Sequence, residues 1–484
     1  MNYVTAGYEP KEVLQYFEDL ARIPRGSGNC AAVADYVYNW GKNLGLDAYK
    51  DEFDNVVLKK PGSAGCEDLP PVMLQGHLDI VAVKLPESNH NFMTDPLPLY
   101  VENGRLRSNG TTLGADNGNA CAYMMGVLAR NDLVHPPLEC VFTSDEEIGL
   151  IGADKLDASS FTAKRMINMD AGGEDQTTTT VSCAGGIELV MTQKPVWQEA
   201  KGNFISLFIH GLKGGHSAGV IDKGHASAGK LMARIINYVS LQTKTVVAKM
   251  YGGQKMNAVM AEMEAVISVE DLDAALKAIE KTVADIKEEL RVTDNGFVCD
   301  YAPCAAPEKM LDDAQSKKLV QFVLAVPQGV RDMSFEIDGL VLNSNNLGAV
   351  WVSDEEIRVW TFNRSGDDSR QEAMAEEIAS LADVFGYETK TGAHFFGWKY
   401  NPDSKMRELH TKLMKETFDI DLQITAGHGG LETGVFCGKE PEMDIICFGP
   451  VAGGAHTPEE WLDIKSFGEM FDYLCKFLAE LTKE

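Results

Sequence analysis

Hard oxygen and nitrogen donors punctuate this chain at the ends of apolar runs. His77 and Asp79 lie in LQGHLDIV, Asp116 in TTLGADNG, Glu146 and Glu147 in FTSDEEIG, Asp170 in MINMDAGG and His456 in GPVAGGAHTPEE. Two imidazoles with three or four carboxylates can hold two divalent ions and leave coordination positions open for water. Taken singly, each has a bland alternative. A histidine after a strand is usually a surface or core residue, paired glutamates usually face solvent, and loop acids are common in a chain with 72 acidic residues. Taken together they share a placement: each follows an apolar strand and several are flanked by glycine. Ligands of open α/β sheets bind at those carboxyl ends.

The elements that must position these residues can be read from the hydrophobic pattern. An N-terminal helix precedes an amphipathic helix near 32–44, the strand Asn55–Lys59, the run VMLQGHLDIVAV, a helical run Asn119–Arg130, and the strands LECVFTS and RMINMD. Alternation with near-continuous apolar strands predicts a mostly parallel sheet flanked by helices. The style changes near residue 187. FISLFIHGL, a helix over 225–241, TVVAKMYG, NAVMAEMEAVISV and a helix over 270–290 are followed, after the loop VTDNGFVCDYAPCAAPE, by a similar set. That set comprises a helix over 310–324, GLVLNSNNLGAVWV, EIRVWTFNR, a helix over 370–385 and TKTGAHFF. The α/β style resumes with a helix near 403–417, the strand MDIICFG and a helix over 464–482. The expected organisation is an α/β domain formed by 1–186 and 392–484. An inserted α+β domain of two related halves interrupts it at 187–391.

Length and composition limit the function classes. At 484 residues the chain exceeds one hydrophobic core, and 44% hydrophobic with 24% charged residues is ordinary for a globular enzyme. The net charge of −28 repels phosphate backbones, so nucleic acid and anionic membranes are not expected partners. No apolar run reaches the length of a membrane span, the N-terminus lacks the pattern of a cleaved signal, and ten cysteines form no C-x-x-C pair. A cytoplasmic setting fits these features.

Together GHLD, TTLGADNG, EEIG, CAGGIE, GLKGGHS, HGGLE and GPVAGGAHTPEE resemble the co-catalytic zinc peptidase superfamily of carnosinases, aminoacylases and succinyl-diaminopimelate desuccinylases. Within it, the likeness is to bacterial aminoacyl-histidine (Xaa-His) dipeptidases and spans nearly the whole chain. TTLGADNG and GLKGGHS are specific to that branch, whereas H-x-D and E-E alone are weak signals. The resemblance implies a zinc-peptidase catalytic domain with an inserted lid. It implies two divalent ions, zinc first with cobalt or manganese as alternatives, and hydrolysis of Xaa-His dipeptides including β-alanyl-histidine by a metal-bridged water. It makes His77, Asp116 and Asp170 ligands of one ion, and Asp116, Glu147 and His456 ligands of the other. Glu146 becomes the general base, Asp79 the acceptor of the second ring N–H of His77, and His216 in GLKGGHS the oxyanion donor. Asn257 and Arg364 fall near the substrate's C-terminal half, with Arg364 as carboxylate clamp. Glu432 is matched to the substrate's amine or to a structural turn, with His428 beside it. The resemblance also implies a cis peptide after Asp116 and a homodimer.

Competing readings exist. Gly224–Lys230 spells most of a P-loop, but Leu231 stands where a metal-binding hydroxyl is required. Gly215-His-Ser217-Ala-Gly219 satisfies the nucleophile-elbow pattern of a serine hydrolase, yet leaves His77, Asp116, Glu147 and Asp170 unexplained. A deacylase of N-acyl amino acids with the same metals is the nearer alternative. Arg364 has its own rival role, a surface ion pair with Asp367 or Asp368.

Overall fold

The computed structural model describes residues 2–170, 173 and 175–483. Its contacts divide the chain into two units: Met1–Ser182 with Trp398–Ala426 and Leu431–Glu484, and Cys183–Gly397 with Gly427–Gly430. The changes fall a few residues outside the expected 187 and 391. The first unit contains the α/β sheet, with strands β1 (Asp47–Lys50), β2 (Val56–Lys60), β3 (Val72–His77), β4 (Leu138–Thr143), β5 (Arg165–Asn168) and the late strand Asp444–Cys447. Their order is β1-β2-β4-β3-β5-(Asp444–Cys447). The pairings of β3 with β4 and β5, and of β5 with Asp444–Cys447, are parallel. β2 runs antiparallel to both its neighbours, so the expected parallel sheet carries an antiparallel edge. β3 and β4 are buried at every position, which is why they read as continuous apolar runs without alternation. Helices α1 (Lys11–Ala21), α2 (Ala31–Asn43) and α3 (Ala115–Ala129), with the C-terminal helix Ile464–Glu480, contribute to one core that includes Phe17, Val37, Tyr123 and Phe471.

The second unit is a nine-stranded sheet. In chain order its main elements are β6 (Gly185–Gln193), β7 (Asn203–His210), α4 (Ala228–Ser240), β8 (Thr245–Gly252), β9 (Met263–Val269), α5 (Leu272–Glu289) and β10 (Val298–Cys304). They continue with α6 (Asp313–Ala325), β11 (Gly329–Met333), β12 (Val341–Val352), β13 (Ile357–Ser365), α7 (Asp368–Val384) and β14 (Glu388–Phe395). The strand order is β10-β7-β9-β8-β12-β13-β6-β14, with β11 beside β12. β7-α4-β8-β9-α5-β10 makes one β-α-β-β-α-β half. β6-α6-β12-β13-α7-β14 makes the other, and each has the spatial order fourth-first-third-second. The halves meet where β8 pairs with β12, Tyr251 opposite Trp351. β6, β10 and the short β11 were not anticipated. β6 is separated by the whole first half from the helix that follows it, and β10 is an edge strand with mostly exposed side chains. Among the described residues, no helix is long and apolar enough to cross a membrane.

Candidate active site

β3 delivers His77 at its carboxyl end, and the backbone before it is too close to α3 for any side chain. A Cβ on Gly76 would stand 2.3 Å from Asn117 Oδ1 and 2.4 Å from the Ala120 Cβ. Asn117 accepts the His77 N–H at 3.2 Å and donates to the Met169 carbonyl at 2.9 Å, tying the ends of β3 and β5. We expect Gly76→Ala to cost roughly 1–3 kcal/mol through overpacking. A lowered urea midpoint together with weakened metal binding would show it.

Asp116 reaches in two directions. Its Oδ1 lies 3.0 Å from His77 Nε2 and its Oδ2 lies 3.1 Å from His456 Nε2. Ligand atoms of His77, Asp116 and Asp170 lie within 4.8 Å of one another, as do those of Asp116, Glu147 and His456. A third such group joins His77 to Glu146 and Glu147. The Asp116–Asn117 peptide is cis, as the resemblance implies. The turn before it is held from two sides. Four successive N–H groups, Leu113 to Asp116, donate to the carboxylate of Glu460 at 2.7–3.2 Å. The fully buried Arg25 donates to the carbonyls of Leu78 and Gly114, both at 2.8 Å.

Asp79 faces His77 Nδ1 with its own carbonyl at 3.1 Å and its carboxylate at 3.5 Å. Both are acceptors, so Nδ1 donates towards them, while Nε2 faces Asp116. The carboxylate does more than the resemblance assigns to it. It also accepts the N–H groups of Glu146 at 3.0 Å and Glu147 at 3.2 Å and the hydroxyl of Ser27 at 2.8 Å, fixing the turn that carries both glutamates.

The donor set suits divalent cations. Burial raises the Glu146 carboxyl to about 8; His77 opposes this, and Glu432, Glu147 and Asp116 add to it. Burial, then Asp116, raises Asp170. His77 is raised despite burial by its bonds to Asp116 and Asp79, and His456 is raised to about 10 by Asp116 and Glu147. So many carboxylates pressed together in low dielectric hold a negative potential that bound cations would relieve.

Glu432 is wholly buried on the helix Glu432–Lys439, its Oε2 accepting from Gln75 Nε2 and, at 2.8 Å, from Thr143 Oγ1. Burial raises it to about 7. A carboxylate enclosed in this way presents no surface to a substrate amine in this conformation.

The second unit gathers the other polar candidates. His216 Nδ1 accepts the Ala218 N–H at 3.3 Å, and its Nε2 lies 3.2 Å from Asn257 Nδ2, an amide nitrogen that can only donate. Burial and the nearby Arg364 charge lower the His216 pKa and keep the ring neutral. Arg364 is only 4% exposed, which rules out the surface ion pair. It donates from Nε to Ser217 Oγ at 3.3 Å and lies over the Phe362 ring, and its Nη1 is buried without a partner. His428 Nε2 is 2.6 Å from Ser344 Oγ, and burial lowers its pKa to about 4. Ser217 is 1% exposed with its hydroxyl oxygen engaged by Arg364, a poor setting for a nucleophile. Lys230, the end of the P-loop look-alike, caps a helix instead: it donates to the carbonyls of Val323, Leu324 and Val326 at the end of α6.

Arg25, Asn117 and Glu460 escaped the sequence reading. The acids after His456 in HTPEE hinted at Glu460. Nothing local distinguishes Arg25, whose partners lie 53 and 89 positions away.

The peptidase M20/M25/M40 family model matches residues 73–480. The cytosol non-specific dipeptidase of Escherichia coli is 31% identical over 476 residues, 98% of each chain. The aminoacylhistidine dipeptidase of Vibrio alginolyticus superposes with a TM-score of 0.89 at 28% identity, covering 99% of this chain and 98% of that one. Aminopeptidase PepT of Bacillus cereus shares the fold at a TM-score of 0.57 and 15% identity, covering 99% of this chain and all of the other.

Proposed function

The chain belongs to peptidase family M20/M25/M40, and from that premise we propose that it cleaves unblocked dipeptides, those ending in histidine and β-alanyl-histidine among them. It is a metal-dependent dipeptidase. The observation that carries the site assignment is that Asp116 belongs to two ligand triads at once, as a bridging carboxylate does. His77 and Asp170 would complete one site, Glu147 and His456 the other. Zinc suits this mixed imidazole and carboxylate set, and cobalt and manganese accept the same donors.

Divalent ions held there would supply Lewis acidity, lowering the pKa of a water and polarising the scissile carbonyl. Glu146 takes the proton of the attacking water and delivers it to the leaving amine. A carboxylate can both accept that proton and return it. Asp79 holds Glu146 and Glu147 by their backbone N–H groups, so the base and the ligand keep separate directions. In the second unit, neutral His216 donates to the developing oxyanion, with Asn257 beside it. Arg364, with an unpartnered buried N–H, receives the peptide's terminal carboxylate. Glu432 supports the ligand-bearing strand ends through Gln75 and Thr143. A cytoplasmic enzyme fits this reading, supported by the cytosolic relative; a homodimer is what the resemblance implies.

The test is a panel of β-alanyl-histidine, glycyl-histidine, an acetylated amino acid and a tripeptide, each with zinc, with chelator and with a fluorophosphonate. Dipeptide hydrolysis lost to the chelator alone is expected. Preferred cleavage of the acetylated amino acid would favour the deacylase, and loss to the fluorophosphonate would favour the serine mechanism.

A further inference from the structure

Asp294 lies in the loop after α5 and has no exposed surface. Its carboxylate grips two separate segments: Oδ1 accepts the Lys213 N–H at 2.7 Å, and Oδ2 accepts the Ala226 N–H at 2.8 Å. Lys213 belongs to GLKGGHS, the turn that presents His216, and Ala226 precedes α4. The same two segments meet again where His225 Nδ1 lies 2.6 Å from the Gly214 carbonyl. The Asp294 loop also presses on the start of the turn, since a Cβ on Gly211 would stand 2.1 Å from the Gly296 oxygen.

A turn containing Gly214 at φ +60° and Gly215 at φ +114° has little shape of its own, because glycine crosses such conformations freely. Outside groups must define it. Charge-assisted N–H···O⁻ bonds to a buried carboxylate are among the strongest available. Helix α5 gives this carboxylate no reason to be there. Asp294 follows the helix's carboxyl end, where the dipole disfavours a negative charge.

We propose that Asp294 is a positioning residue for His216: by tying the GLKGGHS turn to the segment that leads into α4 it sets the direction of the His216 ring. This rests on the oxyanion-donor reading of His216 given above.

A double-mutant cycle in the metal-loaded enzyme tests it, with the unmodified chain, Asp294→Asn, His216→Ala and the double variant. The exposed Asp300→Asn on β10 serves as the control. His216→Ala should lower kcat sharply. Asp294→Asn should lower kcat about a hundredfold, with KM and bound metal unchanged, as a small misplacement of a catalytic donor does. Added to His216→Ala, it should cause no further loss. Normal kcat in His216→Ala would remove the oxyanion reading, and this inference with it. Impaired His216→Ala beside normal Asp294→Asn would overturn the inference alone, as would losses that multiply in the double variant. If Asp294→Asn does not fold, Asp294→Ser enters the same cycle, with hydrogen exchange of residues 211–217 as a second readout. Faster exchange there is expected, and unchanged exchange overturns the proposal.

Discussion

Exchange of Glu146 for glutamine is expected to leave both ions bound and to lower turnover about a hundred- to ten-thousandfold. The amide keeps the shape of the side chain and its backbone bond to Asp79, but it has no lone pair basic enough to take a proton from water. The adjacent change, Glu147→Gln, should act on binding instead. Glu147 shares a triad with Asp116 and His456, so weakening it should release one ion while the site built from His77, Asp116 and Asp170 stays filled. Metal analysis beside kcat separates the two variants. If Glu146→Gln lost an ion and Glu147→Gln kept both, the base and the ligand would have to exchange places.

Removing the metals is expected to abolish turnover and to loosen the first unit. That unit is assembled from residues before 183 and after 397, and Asp116 and His456 lie on opposite sides of the interruption. Ions bound between them join the two segments in the folded state only, so their binding free energy adds to stability. At a hundredfold excess over its dissociation constant, each ion contributes about 2.7 kcal/mol. The chelated protein should therefore melt several degrees lower. Without cations the crowded carboxylates also repel one another, which adds to the loss. Zinc, cobalt and manganese should restore both melting temperature and activity, to different extents. Full turnover in chelated, desalted protein would falsify the di-metal assignment.

The sequence by itself picked out the candidate ligands that the fold brings together. Several donors of the right chemistry follow apolar strands, because β3, β4 and most of β5 are buried and a ligand can be reached from their carboxyl ends. That constraint acts within each short segment, so hydropathy and residue type reveal it. The grouping of GHLD, TTLGADNG, EEIG and GPVAGGAHTPEE then assigned a role to each donor by resemblance. Helices α2, α4 and α5 were likewise readable from their own periodicity, since each buries one face locally.

What tertiary structure alone decided involves partners remote in the chain. Glu460 closes on four N–H groups more than 340 positions away, and no local pattern in HTPEE specifies that encounter. Glu432 illustrates the same limit. Its residue type and glycine-rich setting suit an exposed amine-binding group, but the packing of its helix encloses it against Gln75 and Thr143. β6 pairs with β13 and β14, strands that follow it by more than 160 residues, so its place in the second half follows from sheet order. The donors were written as residue types in short segments. Their directions, tautomers and supports arise only when chain closure brings distant backbone N–H and carbonyl groups within bonding distance.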